Sequence, residues 1–238
     1  MPNHVAPLLR RDFLERLSVA TGMVVMAPLL PACGGAQRTD AAAAPVLTAP
    51  VGGGGTPGLP PIPLTKPEGW DAIAFNRDRG NAGAIPASYL ASINGEDGVT
   101  KHLGKHLPYV PKLDPSLVPP GFLPLMWGDP AAGYAPHPNA PKNEKNNWEG
   151  HWYNWIRLRR ATDGGAAEEE SAFTGWPVIE PGDSGKYAGF GGADISANDG
   201  KDTIYLVALP DGVQSGDEVR IYAHCLTHGE YLDFLRLG

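Results

Sequence analysis

A handful of residues in this chain have the types and spacing that chemistry needs. Cys225-Leu226-Thr227-His228-Gly229 follows the run Arg220-Ile221-Tyr222-Ala223-His224. A Cys-x-x-His pair at a strand end lets a thiolate and an imidazole turn back over one point, and Gly229 supplies a permissive backbone for that curl. His137-Pro138-Asn139 falls in a loop rich in Pro and Asn, and His151 opens the aromatic run Trp152-Tyr153-Asn154-Trp155-Ile156. Lys105-His106-Leu107-Pro108 sets an ammonium beside an imidazole, with a proline two positions on. Imidazole and thiolate are borderline-to-soft donors that suit Fe(II), Cu or Zn, so the chemistry open to these residues together is that of a transition-metal ion. Taken singly each motif is weak, because a buried structural cysteine or a surface histidine explains it as well. His102 and His224 belong to none of these motifs, and strand alternation turns His224 away from Cys225.

Strands must position these side chains. Short aromatic and β-branched runs separated by Gly-Asp, Asn-Asp-Gly, Pro-Asp-Gly and Ser-Gly-Asp predict strands at Gly121–Trp127, His151–Arg159, Thr203–Leu209, Glu218–Cys225 and Tyr231–Leu237. Helical signal is thin. Ile85–Ile93 predicts one short helix, with Pro86 in its first turn and Asn94-Gly95 ending it. The fold class is therefore all-β, an antiparallel sandwich or barrel. Glu168-Glu169-Glu170 reads as a solvated loop, Asp194–Asp202 lacks EF-hand spacing, and Asp183-Ser184-Gly185 lacks the setting of a hydrolase elbow.

Composition narrows the function classes. The 238 residues include 31 Gly and 25 Pro, crowded toward the first third, so the folded domain is the remainder. A net charge of −7 with no basic stripe argues against nucleic acid as a partner. Two cysteines cannot build a Cys-rich zinc module or a disulfide scaffold. Arg10-Arg11-Asp12-Phe13-Leu14 matches a twin-arginine export pattern, and the apolar run Leu17–Leu30 suits a signal-peptide core but is too short to span a bilayer. Leu30-Pro31-Ala32-Cys33 reads as a lipobox with Cys33 as the lipidated residue. The expected organisation is a signal peptide over residues 1–32, a lipidated and disordered Gly/Ala/Pro tether over 33–66, and a domain over 67–238. Such a protein is an exported lipoprotein of the periplasm or cell envelope, held at a membrane through its lipid. Its mature chain would carry a net charge of −8 and the single thiol of Cys225.

In order and type, the four motifs resemble the superoxide reductase family of desulfoferrodoxin and neelaredoxin. That family's iron-binding domain carries a Lys-His-x-Pro element, a His-Pro-Asn or His-Pro-Met element, a His opening an aromatic strand, and a terminal Cys-x-x-His-Gly. The resemblance covers roughly residue 100 onward. It implies an immunoglobulin-like antiparallel β-sandwich in which His106, His137, His151 and His228 are equatorial ligands, and Cys225 the axial ligand, of one mononuclear non-haem iron. The implied activity is reduction of superoxide to hydrogen peroxide, with Lys105 as the catalytic residue that attracts the anion and helps deliver a proton. No Cys-x-x-Cys centre is present to recharge the iron, so an external electron donor is a further implied partner. A homo-oligomer is neither required nor excluded. Three departures stand out. Gly104 replaces the Glu that in the family can take the sixth iron position, which leaves that position to water, hydroxide or nothing. The stretch Pro138–Gly150 is longer than is usual, and Leu226 replaces the Asn that commonly follows the Cys.

Two other classes compete. A blue-copper electron carrier also uses a β-sandwich with a late Cys and His, but such sites commonly set an axial Met after the last His, and the only Met downstream of the signal peptide is Met126. A non-catalytic metal-binding lipoprotein, with an inert Cys and incidental histidines, is the plainer alternative.

Overall fold

The computed structural model describes residues 58–164 and 166–238. The expected export signal, the expected lipidation of Cys33 and the expected tether up to residue 57 fall outside the described residues. Among the described residues no helix is long and apolar enough to cross a membrane.

The domain is an antiparallel β-sandwich. The first sheet joins β1 (Pro108–Tyr109), β2 (Phe122–Trp127), β5 (Lys186–Gly189) and β6 (Thr203–Ala208) in the order β1-β2-β6-β5. The second joins β3 (Tyr153–Arg160), β4 (Glu168–Ala172), β7 (Glu218–Cys225) and β8 (Gly229–Arg236) in the order β4-β3-β7-β8. All pairings are antiparallel. Alternate residues of facing strands fill the space between the layers: Leu123, Leu125 and Trp127 from β2, Tyr205 and Val207 from β6, Ile156 and Leu158 from β3, and Val219, Ile221, Ala223 and Cys225 from β7. This period of two makes the strands legible, and all five expected strands form within two residues of their expected bounds.

The outer faces are covered as well, which explains the nearly continuous apolar runs of β2 and β6. Met126, Ile204 and Leu206 point away from the core and are roofed by Tyr109, Leu113 and Val118. On the other side, Tyr222, Leu232 and Phe234 lie under Ile62, Trp70 and Phe75. Residues 59–66, read from composition as the end of the tether, are therefore fastened to the domain. Arg79 donates to the Pro60 carbonyl at 2.6 Å, Arg220 donates to the Pro63 carbonyl at 3.2 Å, and Lys66 pairs with Glu218 at 3.3 Å.

In place of one short helix there are two, α1 (Ala72–Arg79) and α2 (Leu90–Asn94), linked by single helical turns. The expected helix at Ile85–Ile93 is displaced, opening as the 3-10 turn Ala87–Tyr89 before α2. Asp71 caps α1 by accepting from the Ala74 N–H at 3.0 Å. Hydrophobic periodicity gave no sign of α1 because its buried face is polar: Asn76 and Arg79 are 1% exposed. The Asn76 amide donates to the Leu232 carbonyl and accepts from the Leu232 N–H, both at 2.8 Å, pairing with the open edge of β8 as a neighbouring strand would. Arg79 is held by Glu230 at 3.0 Å. Glu168–Glu170, expected in a loop, is part of β4. Its carboxylates find Arg partners across the sheet, Glu170 with Arg157 at 2.7 Å and Glu168 with Arg220.

Candidate metal centre

Four segments deliver the candidate ligands to one end of the sandwich. His106 closes the 3-10 turn Gly104–His106, and its Nδ1 donates to the His102 carbonyl at 2.6 Å, which leaves Nε2 free and fixes the tautomer. Its ring lies flat on Tyr231, with centroids 4.2 Å apart and planes 8° apart. His137 hangs from the end of β2, where its N–H donates to the Trp127 carbonyl at 3.0 Å. His151 precedes β3 and is tied to Ala140 by a reciprocal pair of backbone hydrogen bonds, each 2.9 Å. Cys225 ends β7 and His228 sits in the turn into β8. That turn requires Gly229, whose φ is 84° and whose added Cβ would lie 2.3 Å from the Ala84 carbonyl oxygen.

These five residues bring one donor atom each to within 4.8 Å of every other. Nε2 of His106 and Nε2 of His151 are both 3.1 Å from Nδ1 of His228, and the Cys225 sulfur is 3.7 Å from His137 Nε2 and 3.8 Å from His228 Nδ1. Nitrogens at right angles on one ion, each bonded at about 2.1 Å, would be about 3.0 Å apart. His228 Nδ1 carries at most one proton and so cannot satisfy two facing imidazole nitrogens. Convergent lone pairs of this kind fit a shared cation better than they fit one another.

Electrostatics agree with that fit. Burial, and the neighbouring imidazoles and Lys105, push His106 and His137 well below the usual imidazole range. Burial and then Lys105 lower His151 to about 3 and His228 to about 2. All four imidazoles are therefore neutral at pH 7, the form that can bind a metal. Burial pushes the Cys225 thiol up to about 12, against the opposing pull of the His228 and Thr227 N–H groups and of Lys105. A sulfur so placed becomes a thiolate at neutral pH only beside a cation. The donor cluster contains no carboxylate. Four imidazoles and one sulfur can hold a metal ion, and the donor types alone do not select among Fe, Cu and Zn.

Lys105 sits beside the cluster, half-buried, with Nζ 5.4 Å from the centroid of the Tyr89 ring. Burial lowers its pKa while Cys225 raises it. His224 points away, as strand alternation requires, and its Nδ1 is 2.6 Å from Asn154 Oδ1. At position 104 the structure supplies a reason for glycine: an added Cβ would lie 2.2 Å from the Tyr134 ring and 2.6 Å from the Val99 carbonyl oxygen. A carboxylate is therefore excluded by packing as well as by identity. The long segment Pro138–Gly150 folds on itself. Asn146 is buried, and its Oδ1 accepts from the N–H groups of Asn143 and Gly150. Asn139 donates to the Gly200 carbonyl at 2.7 Å and accepts from the Tyr205 hydroxyl, which fixes the loop that carries His137.

Sequence reasoning missed the aromatic rings that support the ligands. Tyr231 lies under His106, and Tyr89 stacks on His228 with centroids 3.9 Å apart and planes 28° apart. Nothing in the sequence marks Tyr89, which falls in a segment read only as a helix. Comparison of the chain with protein-family models, with curated proteins and with solved structures finds no match. The architecture and the donor cluster stand on the structure alone: this chain is an all-β sandwich carrying a His4Cys cluster that could hold a metal ion.

Proposed function

We propose that the cluster holds a mononuclear non-haem iron and that the protein reduces superoxide to hydrogen peroxide. The observation that carries this reading is the donor set itself, four neutral imidazoles and one sulfur converging within 4.8 Å with no carboxylate among them. When bound, ferrous iron supplies one electron to superoxide, which with two protons becomes hydrogen peroxide, and an external one-electron donor must then restore the ferrous state. Cys225 contributes a thiolate whose electron density favours transfer toward a bound small molecule. The four imidazoles hold the ion without adding charge. Lys105 answers a problem set by the whole chain: at the net charge of −8 expected of the mature protein the global field repels an anion, and one half-buried ammonium beside the ligands opposes that field locally. Its Nζ also holds protons close to the site where they are consumed. The same proposal puts the domain outside the cytoplasm, anchored through lipid on Cys33.

The test is metal analysis and a visible spectrum of the purified protein before and after mild oxidation, followed by a superoxide assay. The reading expects one iron per chain, a colourless reduced form that turns blue through thiolate-to-iron charge transfer, and one peroxide formed per superoxide consumed. Copper or zinc as the resident ion, or one peroxide for every two superoxides, would overturn it.

A further inference from the structure

Two side chains that donate nothing to the cluster join its ligands into a closed circuit. The Tyr89 ring stacks on His228 at 3.9 Å. The Tyr89 hydroxyl is 2.8 Å from His102 Nδ1, the His102 carbonyl accepts from His106 Nδ1 at 2.6 Å, and His106 Nε2 returns to His228 Nδ1 at 3.1 Å. One residue, His102, thus grips a ligand with its backbone and, with its side chain, the tyrosine that lies on another ligand. The Lys105 ammonium rests over the same Tyr89 ring, 5.4 Å from its centroid.

We propose that Tyr89 is a positioning residue, with His102 as its anchor, that sets the plane of the His228 ring and the seat of the Lys105 ammonium together. A stacked ring limits how far an imidazole ligand can rotate about its bond to a metal, and an outer partner that fixes ligand orientation tunes the ion. An ammonium over a tyrosine face is attracted by the ring quadrupole, most strongly where both are partly withdrawn from water. Tyr89 also packs against the small cluster of Ile85, Ile93, Leu103 and Tyr231, so a purely structural role is the alternative that the test must separate.

The half concerning Lys105 rests on the proposed superoxide chemistry, whereas the half concerning His228 needs only a bound metal. The full-length protein loaded with Co(II) reports the second half through its visible ligand-field bands. Tyr89→Phe keeps the stack and loses only the anchor, so it should shift those bands less than Tyr89→Leu, which keeps apolar volume but removes the stack. In the iron-loaded protein, Tyr89→Leu should slow superoxide consumption about tenfold. Tyr89→Phe and His102→Ala should each slow it about threefold, and the double variant no further, because both remove one hydrogen bond. In a Lys105→Ala background, Tyr89→Leu should cost distinctly less, since only the share due to His228 remains. Unshifted Co(II) bands in Tyr89→Leu overturn the role at His228, and an equal rate loss with and without Lys105 overturns the role at the ammonium. If Tyr89→Leu does not fold, the Tyr89→Phe and His102→Ala pair decides the anchor, since additive losses would refute it. A wild-type protein that binds metal but consumes no superoxide defeats the functional reading, and the Co(II) comparison still decides the His228 half.

Discussion

The Thr227 hydroxyl donates to the Gly150 carbonyl at 2.6 Å, joining the turn that carries Cys225 and His228 to the residue just before His151. With the Leu226 N–H donating to the Trp152 carbonyl at 3.1 Å, this bond holds the C-terminal pair of candidate ligands in register with the one that leads into β3. It spans 77 positions of sequence, and Gly150 is buried at the point of contact.

Thr227→Val keeps the shape and deletes the donor. It should cost about 1–3 kcal/mol, because the buried Gly150 carbonyl is left unpaired. It should also weaken metal retention about 10-fold or more, as loss of an outer-shell partner does. Denaturant unfolding and competition with a chelator measure the two effects. Wild-type metal retention in this variant would separate the bond from the centre.

Cys225→Ser replaces the sulfur with a hydroxyl at a residue that is 0% exposed. The intense visible band that the proposed iron centre would show on oxidation should vanish, since it would arise from sulfur-to-metal charge transfer. A variant that keeps the colour would show that Cys225 does not ligate the ion.

Lys105→Ala should lower the rate with superoxide about tenfold at low salt while leaving metal content intact. The gap between wild type and variant should narrow as ionic strength rises, because screening removes the attraction that the ammonium supplies. Equal rates in stopped-flow or pulse-radiolysis traces at low salt would reduce Lys105 to a bystander.

Asn76→Ala removes both partners of the Leu232 backbone on the open edge of β8. Two buried groups lose their hydrogen bonds, and the expected loss is about 3 kcal/mol in urea unfolding. A loss under about 1 kcal/mol would mean that water reaches that edge and replaces the amide.

Asp233 sets a pH dependence remote from the metal. Burial raises its carboxyl above the ordinary 3.8, opposed by hydrogen bonds from Trp70 and Phe234. A raised folded-state value means that the native state binds the proton more tightly than the unfolded chain does. The contribution to stability is therefore complete below the ordinary value and is lost as pH rises through the raised one. Asp233→Asn keeps the accepting oxygen and has no proton to lose, so its stability relative to wild type should increase from pH 4 to pH 7. A constant difference between the two proteins across that range would show that the carboxyl is not perturbed.

The donor side chains were legible because each lies in a short motif whose meaning is local: a His after a Lys, a His before a Pro, a His at a strand start, a Cys-x-x-His before a Gly. Strand positions were legible for a related reason, since Leu123, Leu125 and Trp127 alternate into one core. What stayed hidden depends on partners distant in sequence. The buried face of α1 is polar because Asn76 and Arg79 meet Leu232 and Glu230, 156 and 151 positions away. Glu168–Glu170 is exposed, as expected, but lies in a strand rather than a loop, and Arg157 and Arg220 stand beside Glu170 and Glu168 there. Tyr89 acquires a role only when folding lays it on His228.

An ion held by the converging donors would make the stability of the chain depend on metal supply. His106 is 122 positions from His228, and His137 is 88 from Cys225. One bound ion would therefore close several long loops at once, as a multiple cross-link between both sheets does. Because these donors converge only in the folded chain, the binding energy of the ion would be available to hold the layers together. At a free ion concentration 100 times Kd the native state gains about 2.7 kcal/mol, and starvation for the ion removes that gain. Scarcity of the ion would then show itself twice, as a lost reaction and as a shortened lifetime of the protein.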